Sequence, residues 1–112
     1  MKKTWDLWEI IAINYLKDKW YIILETNFKF STVWEVDIVS KLWELYVFFE
    51  VKYRFNDKYW VWEESINRNK KFKIKKTINY YCLKNKVDLD YARFDVIAIL
   101  WDKINHHENV EI

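Results

Sequence analysis

The chain contains no glycine and no proline in 112 residues, where average usage would supply about eight and about six. Without glycine there is no glycine-rich phosphate loop of the kind that cradles nucleotides. The one cysteine, Cys82, cannot form an internal disulfide, which suits a reducing compartment. No apolar run approaches the roughly 18 residues that a membrane-spanning helix needs, and no signal-peptide pattern opens the sequence. A soluble, cytoplasmic protein with no membrane partner is the expectation. Neither a Ser-His-Asp set nor a zinc-ligand spacing is present.

What the chain has is bulk and charge. Apolar residues make up 52% and charged ones 32%, which excludes both a disordered tail and a membrane protein. The length suits one domain, 1–112, with a modest core. The net charge of +2 implies no polyanionic partner by itself. Its distribution says more, because Arg68, Lys70, Lys71, Lys73, Lys75 and Lys76 fall within nine residues.

Periodicity predicts a helix over 4–19, where Glu9, Ala12, Ile13 and Leu16 share one face. Strands follow at 21–30, 33–41 and 45–54. The third, LYVFFEVKYR, is apolar on both faces, as a central strand should be. A basic helix is expected over 63–84, with Ile66, Ile74, Ile78, Tyr81 and Cys82 as its apolar stripe. A buried strand at 93–101 and an edge strand at 103–112 complete the order αβββαββ. That order predicts an α/β fold, one sheet with helices packed on it.

There are eight tryptophans, and several stand where turn chemistry calls for glycine. Trp20 falls at the left-handed cap after the first helix. Trp43 lies between the second and third strands, Trp60 in a polar loop, and Trp101 at the last hairpin. Trp8 occupies a helix position where a small residue would allow close packing. Either the protein is unusually aromatic, or tryptophan stands at glycine positions, through a stop codon read differently in its source or through substitution. The turn positions favour the second reading.

Glu50 and Lys52 raise a sharper question, since charges on a core strand are costly to bury without a partner. Alternation places Tyr46, Phe48, Glu50, Lys52 and Arg54 on one face of the third strand. With a hairpin turn near Leu42 and Trp43, Glu35 would lie opposite Glu50 and Asp37 opposite Phe48, diagonal to Glu50. Glu9 on the first helix would pack over that same side. Clustered carboxylates raise one another's pKa unless a cation intervenes, and a hard divalent ion is the usual solution. Asp37, Glu50 and Lys52 thus suit a phosphodiesterase centre. Spacing alone leaves open a salt-bridge cluster in which Lys52 only neutralises Glu50. The basic helix suits a phosphate backbone, or else a solvated face. His106 and His107 are expected as surface residues pointing to opposite faces, and Cys82 as core.

The motifs Trp8-Glu9, Trp34-Glu35-Val36-Asp37-Ile38, Val47-Phe48-Phe49-Glu50-Val51-Lys52-Tyr53-Arg54 and Arg93-Phe94-Asp95-Val96, in this order, resemble the bacterial YraN family. That family is endonuclease-like and belongs with the restriction-endonuclease-like PD-(D/E)xK fold, related to archaeal Holliday junction resolvases. The resemblance covers nearly the whole chain. It implies that Asp37 and Glu50 hold Mg²⁺ or Mn²⁺, that Lys52 is the catalytic lysine, and that Glu9 is an accessory acid. Glu35 and Arg54 match positions near the site. The family's Lys-Gln pair on the second helix is Lys70-Lys71 here. Trp8, Trp20, Trp34, Trp43, Trp60 and Trp101 match usual family glycines, while Trp62 often matches a proline.

The expectation is therefore a metal-dependent nuclease acting on DNA, possibly branched, with Arg54, Arg68, Lys70, Lys71 and Lys73 holding the nucleic acid. The alternative is a nucleic-acid-binding or scaffold protein that keeps the fold without cleaving. A homodimer is implied only by analogy with the resolvases.

Overall fold

A computed structural model describes residues 7–32, 34–54 and 68–112. Helix α1 (Leu7–Asp18) leads into β1 (Ile22–Lys29), β2 (Glu35–Leu42) and β3 (Leu45–Arg54). Helix α2 (Arg68–Asn85) follows, then a short 3₁₀ turn (Leu89–Tyr91), β4 (Ala92–Leu100) and β5 (Lys103–His107). The α/β class and the order αβββαββ are as expected. The start expected for the second helix, with Ile66, and the loop residues Trp60 and Trp62 lie outside the described residues. Among the described residues no helix is long and apolar enough to cross a membrane.

The five strands lie in sequence order across one sheet. All neighbours are antiparallel except β3 and β4, which run parallel because α2 carries the chain back between them. β3 is thus the central strand, and its alternation sets both cores. Phe48 packs with Ile74, Ile78, Tyr81 and Cys82 of α2. Val47 and Phe49 point the other way, onto Ala12 and Leu16 of α1. Cys82 is buried in the α2 core, as read from its stripe.

Both helices close with the same backbone geometry. At the end of α1 the Tyr21 amide donates to the Leu16 carbonyl (3.0 Å) and the Trp20 amide to the Lys17 carbonyl (3.2 Å). This is a Schellman closure, which needs a left-handed residue at its penultimate position. Trp20 supplies it with φ 74°, and Lys86 does so after α2 with φ 57°. The β2–β3 and β4–β5 hairpins have two-residue turns, since Leu42 pairs with Leu45 and Leu100 with Lys103. Trp43 (φ 54°) and Trp101 (φ 58°) hold the first turn position, where a type II′ turn prefers glycine. Three of the tryptophans read as glycine sites are therefore in the region that favours glycine, and all three side chains are exposed.

β5 is shorter than expected. Asn109 turns the chain with φ 52°, and its amide donates to Asp95 Oδ1 at 2.9 Å, while the Val110 amide reaches the Phe94 carbonyl at 2.7 Å. Asp95 is wholly buried. Arg93 clasps it through Nε and one terminal nitrogen, both at 2.9 Å, and also donates to the Tyr21 hydroxyl. His106, expected at the surface, is instead drawn into this network. Its Nε2 lies 2.7 Å from Asp95 Oδ2 and its Nδ1 3.1 Å from the Tyr15 hydroxyl. The cause is register: Ile97 pairs with His106, which turns the imidazole toward the α1 core. Burial would push the Asp95 carboxyl up, but the hydrogen bonds from His106, Arg93 and the Asn109 amide outweigh it and hold the pKa down.

Two stability predictions follow from these features. A non-glycine residue in the left-handed region costs about 1–2 kcal/mol, against which glycine loosens the unfolded chain by about 0.4–1 kcal/mol. Trp20→Gly, Trp43→Gly and Trp101→Gly should each raise the unfolding free energy by up to about 1 kcal/mol, measured by urea titration; a loss at all three would show that the indoles stabilise these turns. Asp95→Asn should cost about 3 kcal/mol, because it leaves the largely buried Arg93 charge with the exposed Glu108 carboxylate, 3.7 Å away, in place of the close Asp95 pair. The stability Asp95 contributes is present above the ordinary aspartate pKa and lost as pH falls through its depressed folded value. The Asn variant should therefore flatten the acid limb of the stability–pH curve.

Candidate metal centre

The geometry of the centre is set by where β2 turns into β3. The turn is Trp43–Glu44, one residue later than expected, so Val39 rather than Asp37 pairs with Phe48. A two-residue shift keeps every side chain on its expected face, but it brings Asp37 one step beyond the last ladder pair, Ile38 with Phe49. Asp37 then meets Glu50 rather than lying diagonal to it. The Val51 amide, which would otherwise extend the ladder, donates to Asp37 Oδ2 at 2.7 Å. Glu35, expected opposite Glu50, instead reaches Lys29 at 3.9 Å.

Burial is the largest influence on the Asp37 carboxyl and Glu50 the next. Together with a hydrogen bond between the two carboxyl groups they push its pKa up to about 8, against the opposing pull of the Val51 amide. Glu9 adds a smaller push in the same direction. Facing a second carboxylate, Asp37 is thus inclined to keep its proton unless a cation takes its place.

Cationic side chains converge on Glu50, whose side chain is 8% exposed. Lys52, next but one on the same face of β3, lies 3.7 Å from Glu50 Oε2, and Lys70 of α2 lies 2.7 Å from that same oxygen. Lys70 was expected on the outer, nucleic-acid-binding face. It points inward because it is one turn ahead of Ile74, in line with the buried Thr77, Ile78 and Tyr81. Burial would lower its pKa, but its hydrogen bond to Glu50 and the charges of Glu50 and Asp37 more than compensate. The helical spacing 70-74-77-81 was the signal in the sequence that could have placed it.

The apolar face of α1 packs on the Phe49 side of the sheet, while Glu9 in its first turn is near enough to Asp37 to act on its charge. The buried Glu9 is held by Asn27 of β1, whose Nδ2 donates to its Oε2 at 3.1 Å. Asn27 adopts φ 53°, a conformation its short polar side chain tolerates. Its role was not read from sequence, although an asparagine inside a strand was the cue.

Of the other expected nucleic-acid contacts, Arg68 is exposed and Lys71 and Lys73 are half-buried on α2. The Arg54 side chain lies outside the described residues. Trp34 packs against Phe30 and edge-on to Phe72 of α2, and Trp8 stacks on Tyr53 with ring centroids 3.6 Å apart. Among the described residues no three His, Cys, Asp or Glu side chains gather closely enough to hold a metal ion. The carboxylates that could serve as donors are the pair Asp37 and Glu50. That pair fits magnesium or manganese, which take one or two carboxylates and fill the remaining positions with water and phosphate.

The raised Asp37 pKa has a definite sign. Between the ordinary value near 4 and about 8, the folded protein keeps a proton that the unfolded chain has released. The metal-free protein should therefore lose stability as pH rises through that window. Asp37→Asn should remove most of this slope, so that the variant is the more stable of the two at pH 8 and the two nearly equal at pH 4. Urea titrations across the range check it, and parallel curves would mean that Asp37 is not protonated in the folded state.

Comparison with known proteins gives the family that carries these motifs. The model of Uncharacterised protein family UPF0102 matches residues 8–99, which include Glu9, Asp37, Glu50, Lys52 and Lys70. A UPF0102 protein of Clostridium tetani is 39% identical over 111 residues, covering 99% of this chain and 90% of its own length. One from Thermodesulfovibrio yellowstonii is 45% identical over 101 residues, 90% of this chain and 88% of its own. One from Clostridioides difficile is 38% identical over 110 residues, 96% of each. With its central αβββαββ sheet and its matched motifs, the chain belongs to the uncharacterised family UPF0102, the YraN family that its sequence resembles.

Proposed function

We propose that the chain is a divalent-metal-dependent nuclease that hydrolyses phosphodiester bonds in DNA. The observation that carries this reading is the meeting of the half-buried Asp37 with the buried Glu50, with Lys52 on the same strand face. A plain salt-bridge cluster would pair each carboxylate with its own lysine, whereas here Lys52 and Lys70 both lie on Glu50 Oε2 and Asp37 Oδ2 accepts from the Val51 amide.

Asp37 and Glu50 would hold Mg²⁺ or Mn²⁺. The bound ion supplies positive charge to a phosphate oxygen and makes a water molecule more acidic. The Val51 amide fixes the Asp37 carboxylate, so that its second oxygen has a set direction. Lys52, mostly buried beside Glu50, is placed to offset the negative charge that builds on the phosphate as the bond breaks. Glu9, braced by Asn27, adds acidity at longer range. Arg68, Lys71 and Lys73 lie on the same helix as Lys70 and suit electrostatic contact with a phosphate backbone. Branched DNA is favoured as substrate by the kinship with resolvases, an argument from analogy rather than from the site.

The test is cleavage of labelled duplex, single-stranded and four-way-junction DNA with Mg²⁺ or Mn²⁺. Cutting should require the metal, and Lys52→Ala should slow it by about 10²-fold or more, the usual loss for one charge-stabilising group. Salt-sensitive DNA binding without cutting by the folded protein would replace the nuclease reading with a binding one.

A further inference from the structure

Lys70 sits where neither a plain DNA contact nor a plain surface lysine would sit. Its ammonium lies 2.7 Å from Glu50 Oε2, a full ångström closer than that of Lys52. It comes from another element, across the gap between α2 and the sheet, and its side chain is still 45% exposed against 18% for Lys52. Lys52 is thus built into the centre, while Lys70 reaches into it from α2 with its side chain nearly half exposed. Its neighbours Arg68 and Lys71 belong to the basic first turns of α2, where a phosphate backbone would pass.

The geometry points to Lys70 as a displaceable internal counter-ion of the carboxylate pair. It occupies Glu50 in the metal-free protein, gives way to the divalent cation, and is then free to contact a phosphate of the nucleic acid. This rests on the metal-dependent reading above and adds to it a coupling between metal loading and nucleic-acid binding. The physical reason is competition: one carboxylate oxygen cannot serve an ammonium at hydrogen-bond distance and a divalent ion at once. Each ligand that relieves the competition favours the other, by the reciprocity of linked binding. Phosphate draws Lys70 off Glu50 and so raises metal affinity; metal releases Lys70 and so adds one phosphate contact.

The experiment is Mn²⁺ binding to the full chain without DNA, followed by the electron paramagnetic resonance of free Mn²⁺, for the wild type, Lys70→Met, Lys70→Arg and Asp37→Asn. Methionine keeps most of the stem and removes the charge; arginine keeps a cation. Lys70→Met should bind Mn²⁺ about five- to tenfold more tightly than wild type, in the range expected when one partly exposed ion pair stops competing. Lys70→Arg should stay near wild type, and Asp37→Asn should bind at least about tenfold more weakly. Equal or weaker binding by Lys70→Met, with Asp37→Asn still impaired, would overturn the counter-ion role and leave the metal centre standing. Unimpaired binding by Asp37→Asn would instead overturn the metal centre itself, and the counter-ion role with it.

A second readout is duplex DNA binding across a salt series, with and without Ca²⁺ as the added cation. In the wild type the slope of log affinity against log salt should steepen by about one phosphate contact when Ca²⁺ is present. It should not change in Lys70→Met. The same steepening in both proteins would show that Lys70 is not the group released.

Discussion

The register of β2 against β3 is the constraint on which the rest depends. A two-residue turn fixes it, and every pair along the hairpin follows from that turn. Because the period of a strand is two, the core would survive a slip of two residues, with aliphatic and aromatic groups still facing α2 and α1. The carboxylate pair would not. Asp37 meets Glu50 only in this register, and the Val51 amide is free to take the Asp37 carboxylate only because the ladder stops one step earlier. The turn at Trp43–Glu44 is remote from the charges and yet sets their spacing.

α2 serves the same centre from the other side. Its apolar stripe anchors it to Phe48 and Phe94 through Ile74, Ile78, Tyr81 and Cys82, and extending that stripe by one turn delivers Lys70 to Glu50. Packing and electrostatics are thus aligned on one helix face. A stripe that continued in leucine would bury more apolar area but leave Glu50 with Lys52 alone at a longer distance. The basic residues on the flanks of the same helix remain solvated or half-buried, so one element presents two kinds of lysine that composition cannot tell apart.

Much of this was legible in the sequence. Strand alternation placed Glu50 and Lys52 together, hydrophobic stripes located both helices, and turn chemistry marked Trp20, Trp43 and Trp101 as left-handed positions. What was not legible depended on register and on which face a helix covers. The hairpin turn was misplaced by one residue because neither Leu42-Trp43 nor Trp43-Glu44 contains the asparagine or glycine that marks a turn unambiguously. The brace on Glu9 was not legible because a stripe on α1 says that it packs, not which side chain of another element will hold it. His106 was read as a surface residue because the buried Asp95 lies on the neighbouring strand and Tyr15 on the first helix, and the three meet only once the sheet has formed. Lys86 escaped notice since lysine gives no sign that it will adopt a left-handed φ.

β1 carries a further consequence. It is one of the two edge strands, with Ile22 and Leu24 exposed, and an unbroken apolar edge of this kind would be a template for strand-to-strand polymerisation. Its pairing with β2 is interrupted between Ile23 and Glu25, and Asn27 then bends the backbone through a left-handed residue. A kinked edge cannot dock a straight strand along its length. The asparagine that braces Glu9 therefore also makes this edge irregular, so one departure from strand geometry serves both the acidic residue and the shape of the sheet's border.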